Sequence, residues 1–186
     1  MTKFYSRNGD DGCTGLLGEG RVPKYHPQPE AFGTVDEASA AIGLARSFCQ
    51  YPQSVNLLLE IQRDLYNVMA EVAATPENAA RFRKIDQNRV IWLENQTDMI
   101  ADKVEMPEEF IVPGDSTAGA ALAVARTIVR RAERQIARLL HDGLIENEAL
   151  LHYLNRLSSF CFVLELHENA LAGMDAPTLA KNKKQR

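Results

Sequence analysis

The sequence predicts an all-α protein, a five-helix up-and-down bundle, on two observations. From Val35 onward, apolar residues recur at steps of three or four, the period of one helix face, and no sustained two-residue alternation competes with it. Proline, glycine and polar stretches interrupt this pattern, so the helices are expected to be joined by short connections.

The first two helices are predicted from a start signal and an apolar stripe. The stretch Thr34 to Glu37 fits a Thr-x-x-Glu capping box, so a first helix is expected from there to about Gln50, with Pro52 ending it. The second helix is predicted from apolar residues at steps of 3, 4, 3 and 4, namely Leu58, Ile61, Leu65, Val68 and Val72. The polar stretch 76–86 after it is predicted to be a linker.

Three further helices complete the predicted bundle. They are expected at Gln87–Val104, at about Thr117–Leu140 with Asp115 or Ser116 as N-cap, and at Glu148–Ala172. Gly143 is the expected C-cap of the second of these. The chain is thus interpreted as a single domain, 1–186, with an N-terminal segment 1–33, a bundle 34–173 and a disordered tail 174–186.

Composition excludes several classes of function. A net charge of -4 and a pI near 5.6 argue against a nucleic-acid binder, which needs a basic surface to neutralise phosphates. No apolar window is long enough for a membrane span and the N-terminus lacks a targeting pattern, so a cytoplasmic protein without a membrane partner is expected. The three cysteines are widely spaced and suggest neither disulfides nor zinc.

Five of the eleven glycines lie between Gly9 and Gly20, in a leader that invites comparison with phosphate-binding loops. It matches neither the Walker loop, because Arg21 stands where the lysine belongs, nor the dinucleotide loop, because no βαβ pattern surrounds it. A mobile leader is one interpretation. The other is an anion-binding loop, with exposed backbone N–H groups and the side chains of Ser6, Arg7, Asn8, Thr14, Arg21 and Lys24 as donors.

The stretch ARTIVRRAER, 125–134, places charged residues on one face of a helix. At 100° per residue, Arg126, Arg130, Glu133 and Arg134 share that face, whereas Arg131 points away. The face is either solvated or held in a cleft or subunit interface, where arginine suits phosphates and carboxylates. Asp36 is free to reach an arginine on another helix, whereas Glu37 is assigned to the capping box.

Five stretches, in this order over roughly residues 3 to 172, resemble the PduO-type ATP:cob(I)alamin adenosyltransferases. They are YSRNGDDGCTGLLGEGRVPK, EAFGTVDEASAAIGLAR, FIVPG, ARTIVRRAER and LNRLSSFCFVL. The resemblance implies a homotrimer whose ATP sites lie between subunits, each formed by the glycine-rich loop of one subunit and the arginine helix of its neighbour.

The implied reaction transfers the 5′-deoxyadenosyl group of ATP to Co(I) of a reduced corrinoid, releasing triphosphate. Cobalt is then the nucleophile, and the protein supplies position and charge. Magnesium is expected on the ATP phosphates, with no metal ligands from the protein. A reductase and an adenosylcobalamin-dependent acceptor enzyme are the further partners that the reaction implies.

The resemblance also assigns roles to residues. The nucleotide is expected to contact Ser6, Arg7, Asn8, Gly9 and Thr14 in the leader, with Lys24, Arg130 and Arg134 at the triphosphate and Glu133 and Asn155 at the adenosine or its magnesium. On the corrinoid side, Asp36 and Arg126 match an intersubunit salt bridge. Phe110 matches the aromatic residue that displaces the lower axial base and so eases the reduction of Co(II).

Departures from the family pattern keep alternatives open. Asn8 and Cys13 replace hydroxyl residues, and Asp115 replaces a common glycine. These changes concern nucleotide affinity more than the type of reaction. The first alternative is a non-catalytic trimeric relative that binds ATP or delivers adenosylcobalamin. The second is a helical interaction protein with a solvated arginine stripe.

Overall fold

The computed structural model describes Tyr5 and residues 7–181, and Ser6 lies outside the described residues. The described chain contains a two-stranded antiparallel hairpin followed by six helices. Their bounds are β1 Cys13–Gly15, β2 Arg21–Pro23, α1 Pro27–Phe48, α2 Pro52–Val72, α3 Pro76–Phe82, α4 Gln87–Ala101, α5 Thr117–His141 and α6 Glu148–Leu171. The five long helices confirm the predicted all-α class.

The long helices pack side by side in the order α2, α1, α5, α6 and α4. Their facing sides form one continuous apolar core, which contains the predicted stripe of α2 from Leu58 to Val72. Alanines on α1 and α5, including Ala38 and Ala125, are fully buried where these two helices meet. Small side chains allow two helix axes to approach closely, so these alanines suit a tight contact between α1 and α5.

The first helix begins earlier than the capping box predicts. Pro27 is the first residue of α1, and Nδ1 of His26 accepts a hydrogen bond from the backbone N–H of Gln28 at 3.3 Å. Thr34 is buried inside the helix and donates to the carbonyl of Glu30 at 2.8 Å. The capping-box interpretation is therefore wrong, because prolines are tolerated in a first helical turn and here mark the true start.

The predicted linker contains a helix. Residues 76–82 form α3, which begins at Pro76 after Thr75. None of its residues is buried, so its formation depends on the proline start and not on an apolar face that a periodicity search detects.

The leader contains another unpredicted feature, the hairpin of β1 and β2, in which Thr14 pairs with Val22.

Both ends of α5 agree with their sequence signals. The Ser116 hydroxyl accepts from the backbone N–H of Gly119 at 2.9 Å, so Ser116 and not Asp115 is the N-cap of α5. Gly143 follows α5 with a φ of 69°, a left-handed conformation that glycine adopts without steric cost.

The expected disordered tail is ordered where it meets the loop before α5. Residues 178–180 run antiparallel to residues 110–112, with Ile111 and Leu179 as bridge partners. The backbone N–H of Val112 donates to Thr178 at 2.7 Å, and that of Ala180 donates to Phe110 at 2.7 Å. The prediction of disorder is wrong for these residues. Their backbone groups form hydrogen bonds with residues 110–112, and the sequence of the tail alone gives no sign of that pairing.

Candidate functional site

Two arginines of α5 line a groove of about 600 Å³ between α5, α6 and the loop of residues 106–113. Arg126 and Arg130 are one helical turn apart, so both point toward this side of the bundle. The opposite wall includes Phe162 and Glu165 of α6. The groove therefore combines apolar surface with two arginines and three glutamates, a composition that suits a large ligand with polar edges.

Phe110 stands at the edge of this groove and is 90% exposed. An aromatic side chain that stays exposed lacks the stabilisation that burial provides, about 2 kcal/mol for a phenylalanine. A ligand or another protein surface that covers the ring would restore it. The backbone carrying it is paired with the tail through Ala180, so the exposure belongs to an ordered loop. Without the family resemblance, its apolar character alone would have assigned this residue to the core.

A second groove, of about 350 Å³, lies further along the same two helices. Glu133 and Arg134 of α5 face Asn155 and Arg156 of α6 across it. The amide nitrogen of Asn155 donates to Oε1 of Glu133 at 2.7 Å, and Arg156 donates to the amide oxygen of Asn155 at 2.7 Å. Hydrogen bonds at both its nitrogen and its oxygen thus fix the orientation of the Asn155 amide. The contact is consistent with the sequence-based expectation that Glu133 and Asn155 belong to one site.

The glycine-rich leader forms a compact loop closed by an ion pair. Arg21 binds Asp11 with Nη1 at 2.8 Å and Nη2 at 2.9 Å, and Nη2 also donates to the backbone carbonyl of Asn8. These hydrogen bonds, together with the Cys13 backbone N–H, lower the pKa of Asp11 below its usual value. Arg21 thus holds the loop closed. Neither this role nor Asp11 was identified from the sequence.

Other predicted leader residues surround this loop. A Cβ atom on Gly9 would lie 2.9 Å from Nζ of Lys24, so glycine permits the lysine to cross the loop closely. Arg7 has a φ of 64°, a conformation that costs a residue with a Cβ about 1 kcal/mol. Thr14 is partly buried in β1, and Ser6 lies outside the described residues.

The leader is attached to the bundle at the end of α2. Leu17 donates its backbone N–H to Ala73 at 2.7 Å and accepts from Thr75 at 3.3 Å, which fixes the hairpin to the end of α2. Among the described residues, no hydrogen bond or ion pair joins the leader to α5. The single chain therefore does not bring the two predicted halves of the nucleotide site together.

The acidic residues Asp36 and Glu37 lie in the middle of α1 and not at its N-terminus, where the sequence had placed them. Glu37 forms an ion pair with Arg131 of α5, the arginine that points away from the grooves, and has no capping role. Asp36 is exposed, and no ion pair with Arg126 or any other residue of the described chain involves it. Its carboxylate remains available to a group outside this chain.

Two ionisable groups of α6 near Arg126 were not identified from the sequence. Burial raises the pKa of Glu165 to about 7, although the charge of Arg126 opposes the change. Burial also raises the pKa of Cys161 to about 12, so its thiol stays protonated near neutral pH. Sequence periodicity placed both residues on a helix, but gave no signal that Glu165 lines a groove.

A resident metal centre is not apparent in the part of the chain that the structure describes. No group of three or more His, Cys, Asp or Glu side chains lies together there in a way that could hold an ion. Across residues 5 and 7–181, no helix is sufficiently long and apolar to cross a bilayer.

Comparison with known proteins gives one consistent family. The sequence profile described as Cobalamin adenosyltransferase matches residues 4–168. The protein named Corrinoid adenosyltransferase PduO from Citrobacter freundii is 38% identical over 167 residues, which are 89% of this chain and 50% of that protein. The Corrinoid adenosyltransferase of Bacillus subtilis is 36% identical over 176 residues, covering 92% of this chain and 89% of that protein.

Solved structures agree with the sequence comparisons. A variant of the PduO-type ATP:corrinoid adenosyltransferase from Lactobacillus reuteri, complexed with cobalamin and ATP, superposes with a TM-score of 0.87 at 34% identity. The superposition covers 97% of this chain and 100% of that chain. The chain spans about half the length of the Citrobacter relative, but nearly all of the Lactobacillus structure. The resemblance inferred from five motifs is thus confirmed, and the chain belongs to the cobalamin adenosyltransferase family.

Proposed function

We propose that this protein transfers the 5′-deoxyadenosyl group of ATP to the Co(I) centre of a reduced corrinoid, giving adenosylcobalamin and triphosphate. The cobalt–carbon bond forms as the bond from C5′ to the triphosphate oxygen breaks, and the electron pair of that bond leaves with the triphosphate. The observation that carries this proposal is Phe110, 90% exposed on an ordered loop beside a groove with two arginines. An apolar ring there suits the face of a flat macrocycle.

The lower axial base of the corrinoid is the proposed target of Phe110. A phenyl ring offers cobalt no ligand atom, so a ring packed under the corrin keeps that coordination position empty. Removing the lower ligand makes Co(II) easier to reduce. Arg126 lies in the same groove, and its proposed partner is Asp36 of a neighbouring subunit, since neither residue has an ion-pair partner in the described chain.

The nucleotide is proposed to lie further along α5. Triphosphate carries several negative charges, and its departure is favoured by cations held in position before the reaction. Arg130 and Arg134 supply these charges from α5, and Lys24 supplies one from the leader. Magnesium is proposed to be carried by the ATP phosphates, with Glu133 as a nearby carboxylate.

A homotrimer with the nucleotide between subunits is part of the proposal. Leu17 of the leader is fixed to the end of α2, and no described leader residue forms a hydrogen bond with α5 of the same chain, so α5 of a neighbour is the proposed partner. Ser6, Arg7, Asn8, Gly9 and Thr14 then contact ATP with hydroxyl, amide and backbone donors. A reductase that supplies Co(I), an acceptor enzyme for the product, and a cytoplasmic location also belong to the proposal.

An anaerobic absorbance assay tests the reaction. Purified protein is mixed with chemically reduced cob(I)alamin and magnesium-ATP, and the Co(I) band is followed as the adenosylcobalamin spectrum replaces it. Conversion that requires both protein and ATP is the expected result. A protein that binds ATP and cobalamin without spectral change would contradict the catalytic proposal and indicate a binding or delivery relative.

A further inference from the structure

Glu165 is a buried carboxylate without a hydrogen-bond partner in the wall of the arginine groove. Its side chain belongs to a residue only 1% exposed, and Oε1 is fully buried. No residue of the described chain donates a hydrogen bond to this carboxyl group. Burying an unpaired ionisable group is costly, so such a group at a ligand groove calls for a partner from outside the chain.

Arg126 does not supply that partner directly. Its charge acts on Glu165 through space, but the two side chains form no salt bridge within 4.0 Å. Nε of Arg126 is itself buried without a hydrogen-bond acceptor. Both side chains line the same groove, and within the described chain its acceptor Oε1 and its donor Nε lack hydrogen-bond partners. The Nη groups of Arg126 are left for the proposed ion pair with Asp36 of a neighbouring subunit.

This combination matches a primary carboxamide. Such a group donates through its N–H atoms and accepts through its carbonyl oxygen, so it can bind an acceptor and a donor together. The rim of the corrin ring of cobalamin carries primary carboxamides. We propose that Glu165 is a further corrinoid-binding residue, an inference that rests on the proposed function. Its carboxylate accepts a hydrogen bond from a rim carboxamide, and Arg126 donates a hydrogen bond to the same carboxamide.

The surroundings of Glu165 set its protonation. Burial raises its pKa to about 7, the positive charge of Arg126 opposes that change, and Asp115 adds to it. The charged and titratable groups that face it from α5, the preceding loop and its own helix are Arg126, Arg130, Glu108, Glu109, Asp115 and Cys161. Because the ionised carboxylate is the stronger acceptor, corrinoid binding should tighten as pH rises through about 7.

Two variants separate the hydrogen bond from the shape of the side chain. Glu165→Gln keeps an acceptor oxygen, whereas Glu165→Met keeps similar bulk and removes it. The matched control is Glu168→Gln, since Glu168 is also a buried glutamate of α6 with an unpartnered Oε1, but does not line the groove. Thermal unfolding of each variant establishes that it is folded.

The measurement is the affinity for cob(II)alamin in the presence of magnesium-ATP, followed by absorbance, together with separate KM values for cob(I)alamin and ATP. Glu165→Met should weaken corrinoid affinity about tenfold or more, as expected for a lost hydrogen bond to a charged group, and leave the KM for ATP unchanged. Glu165→Gln should retain most of the affinity and lose its pH dependence. Glu168→Gln should match the wild type.

A pair of corrinoid probes identifies the group that binds. Cobinamide keeps the rim carboxamides, whereas a cobyrinate methyl ester replaces them with esters that cannot donate. Wild-type protein should prefer cobinamide, and Glu165→Met should lose that preference, because the ester has no N–H for the carboxylate to accept.

The outcomes distinguish this inference from the proposed function. Wild-type protein that binds neither cobalamin nor cobinamide would overturn the proposed function itself. Wild-type binding with unchanged affinity in Glu165→Met would overturn only the role of Glu165. A preference for cobinamide that persists in Glu165→Met would likewise assign the carboxamide contact to other residues.

Discussion

Replacing Glu165 with glutamine should change how the stability of the folded protein depends on pH. Burial raises the pKa of this carboxyl group from 4.5 to about 7. The folded chain therefore holds the proton more tightly than the unfolded chain. The stability linked to the neutral acid is fully present below pH 4.5 and is lost as pH rises through about 7.

The size of the effect follows from the pKa change. Each tenfold change in proton affinity is worth about 1.4 kcal/mol, so this group should lower the free energy of unfolding by about 3 kcal/mol between acidic and mildly alkaline solution. Glutamine cannot ionise and escapes this loss. The quantity to compare is the unfolding free energy of Glu165→Gln minus that of the wild type. We expect this difference to be about 2–3 kcal/mol larger at pH 8.5 than at pH 5.

Urea unfolding without corrinoid, at fixed protomer concentration, measures this difference. Fixed concentration matters because association of subunits would add to the apparent stability. Groups other than Glu165 titrate in both proteins, so their contributions to the unfolding free energy cancel in the comparison. Glu165→Met should follow Glu165→Gln, since neither residue ionises. Wild-type and Gln curves that stay parallel from pH 5 to 8.5 would refute the reasoning.

Three further predictions concern the proposed site. Phe110→Ala should lower the rate of product formation from Co(II) about tenfold more than the rate from pre-reduced Co(I), because only the first needs an empty lower position. Equal losses in the two assays would exclude that role. Arg130→Ala should lower kcat/KM about 100-fold by removing charge from the leaving triphosphate, and wild-type turnover would contradict this. Magnesium-ATP should protect residues 7–24 from limited proteolysis, whereas unchanged cleavage with saturating nucleotide would argue against leader binding.

Much of the bundle followed from local chemistry. The stripe of α2, the Ser116 cap and the glycine after α5 are short-range features, since neighbouring residues alone decide them. The start of α1 was misassigned because two competing local signals, Pro27 and the stretch from Thr34, both resemble helix starts. The short helix α3 buries no residue, so no periodic apolar pattern revealed it.

The candidate site was less accessible to sequence reasoning. Helical geometry placed Arg126, Arg130, Glu133 and Arg134 on one face, but it did not predict that the first two and the last two line separate grooves. The family resemblance supplied the expected role of Phe110, which no spacing rule would have indicated, and it named Arg126 as the expected partner of Asp36. The ion pair of Arg21 with Asp11 was missed because it joins residues ten positions apart in a segment without regular periodicity.

The sequence by itself determined the helical class, the shared face of the α5 charges and, through five motifs, the family. These depend on periodicity and on short matched stretches, which are properties of the linear chain. Only the tertiary structure decided that Phe110 is exposed, that residues 178–180 pair with its loop, and that Glu165 lies unpaired beside Arg126. Burial and long-range contacts are set by how distant elements pack, and so no local pattern encodes them.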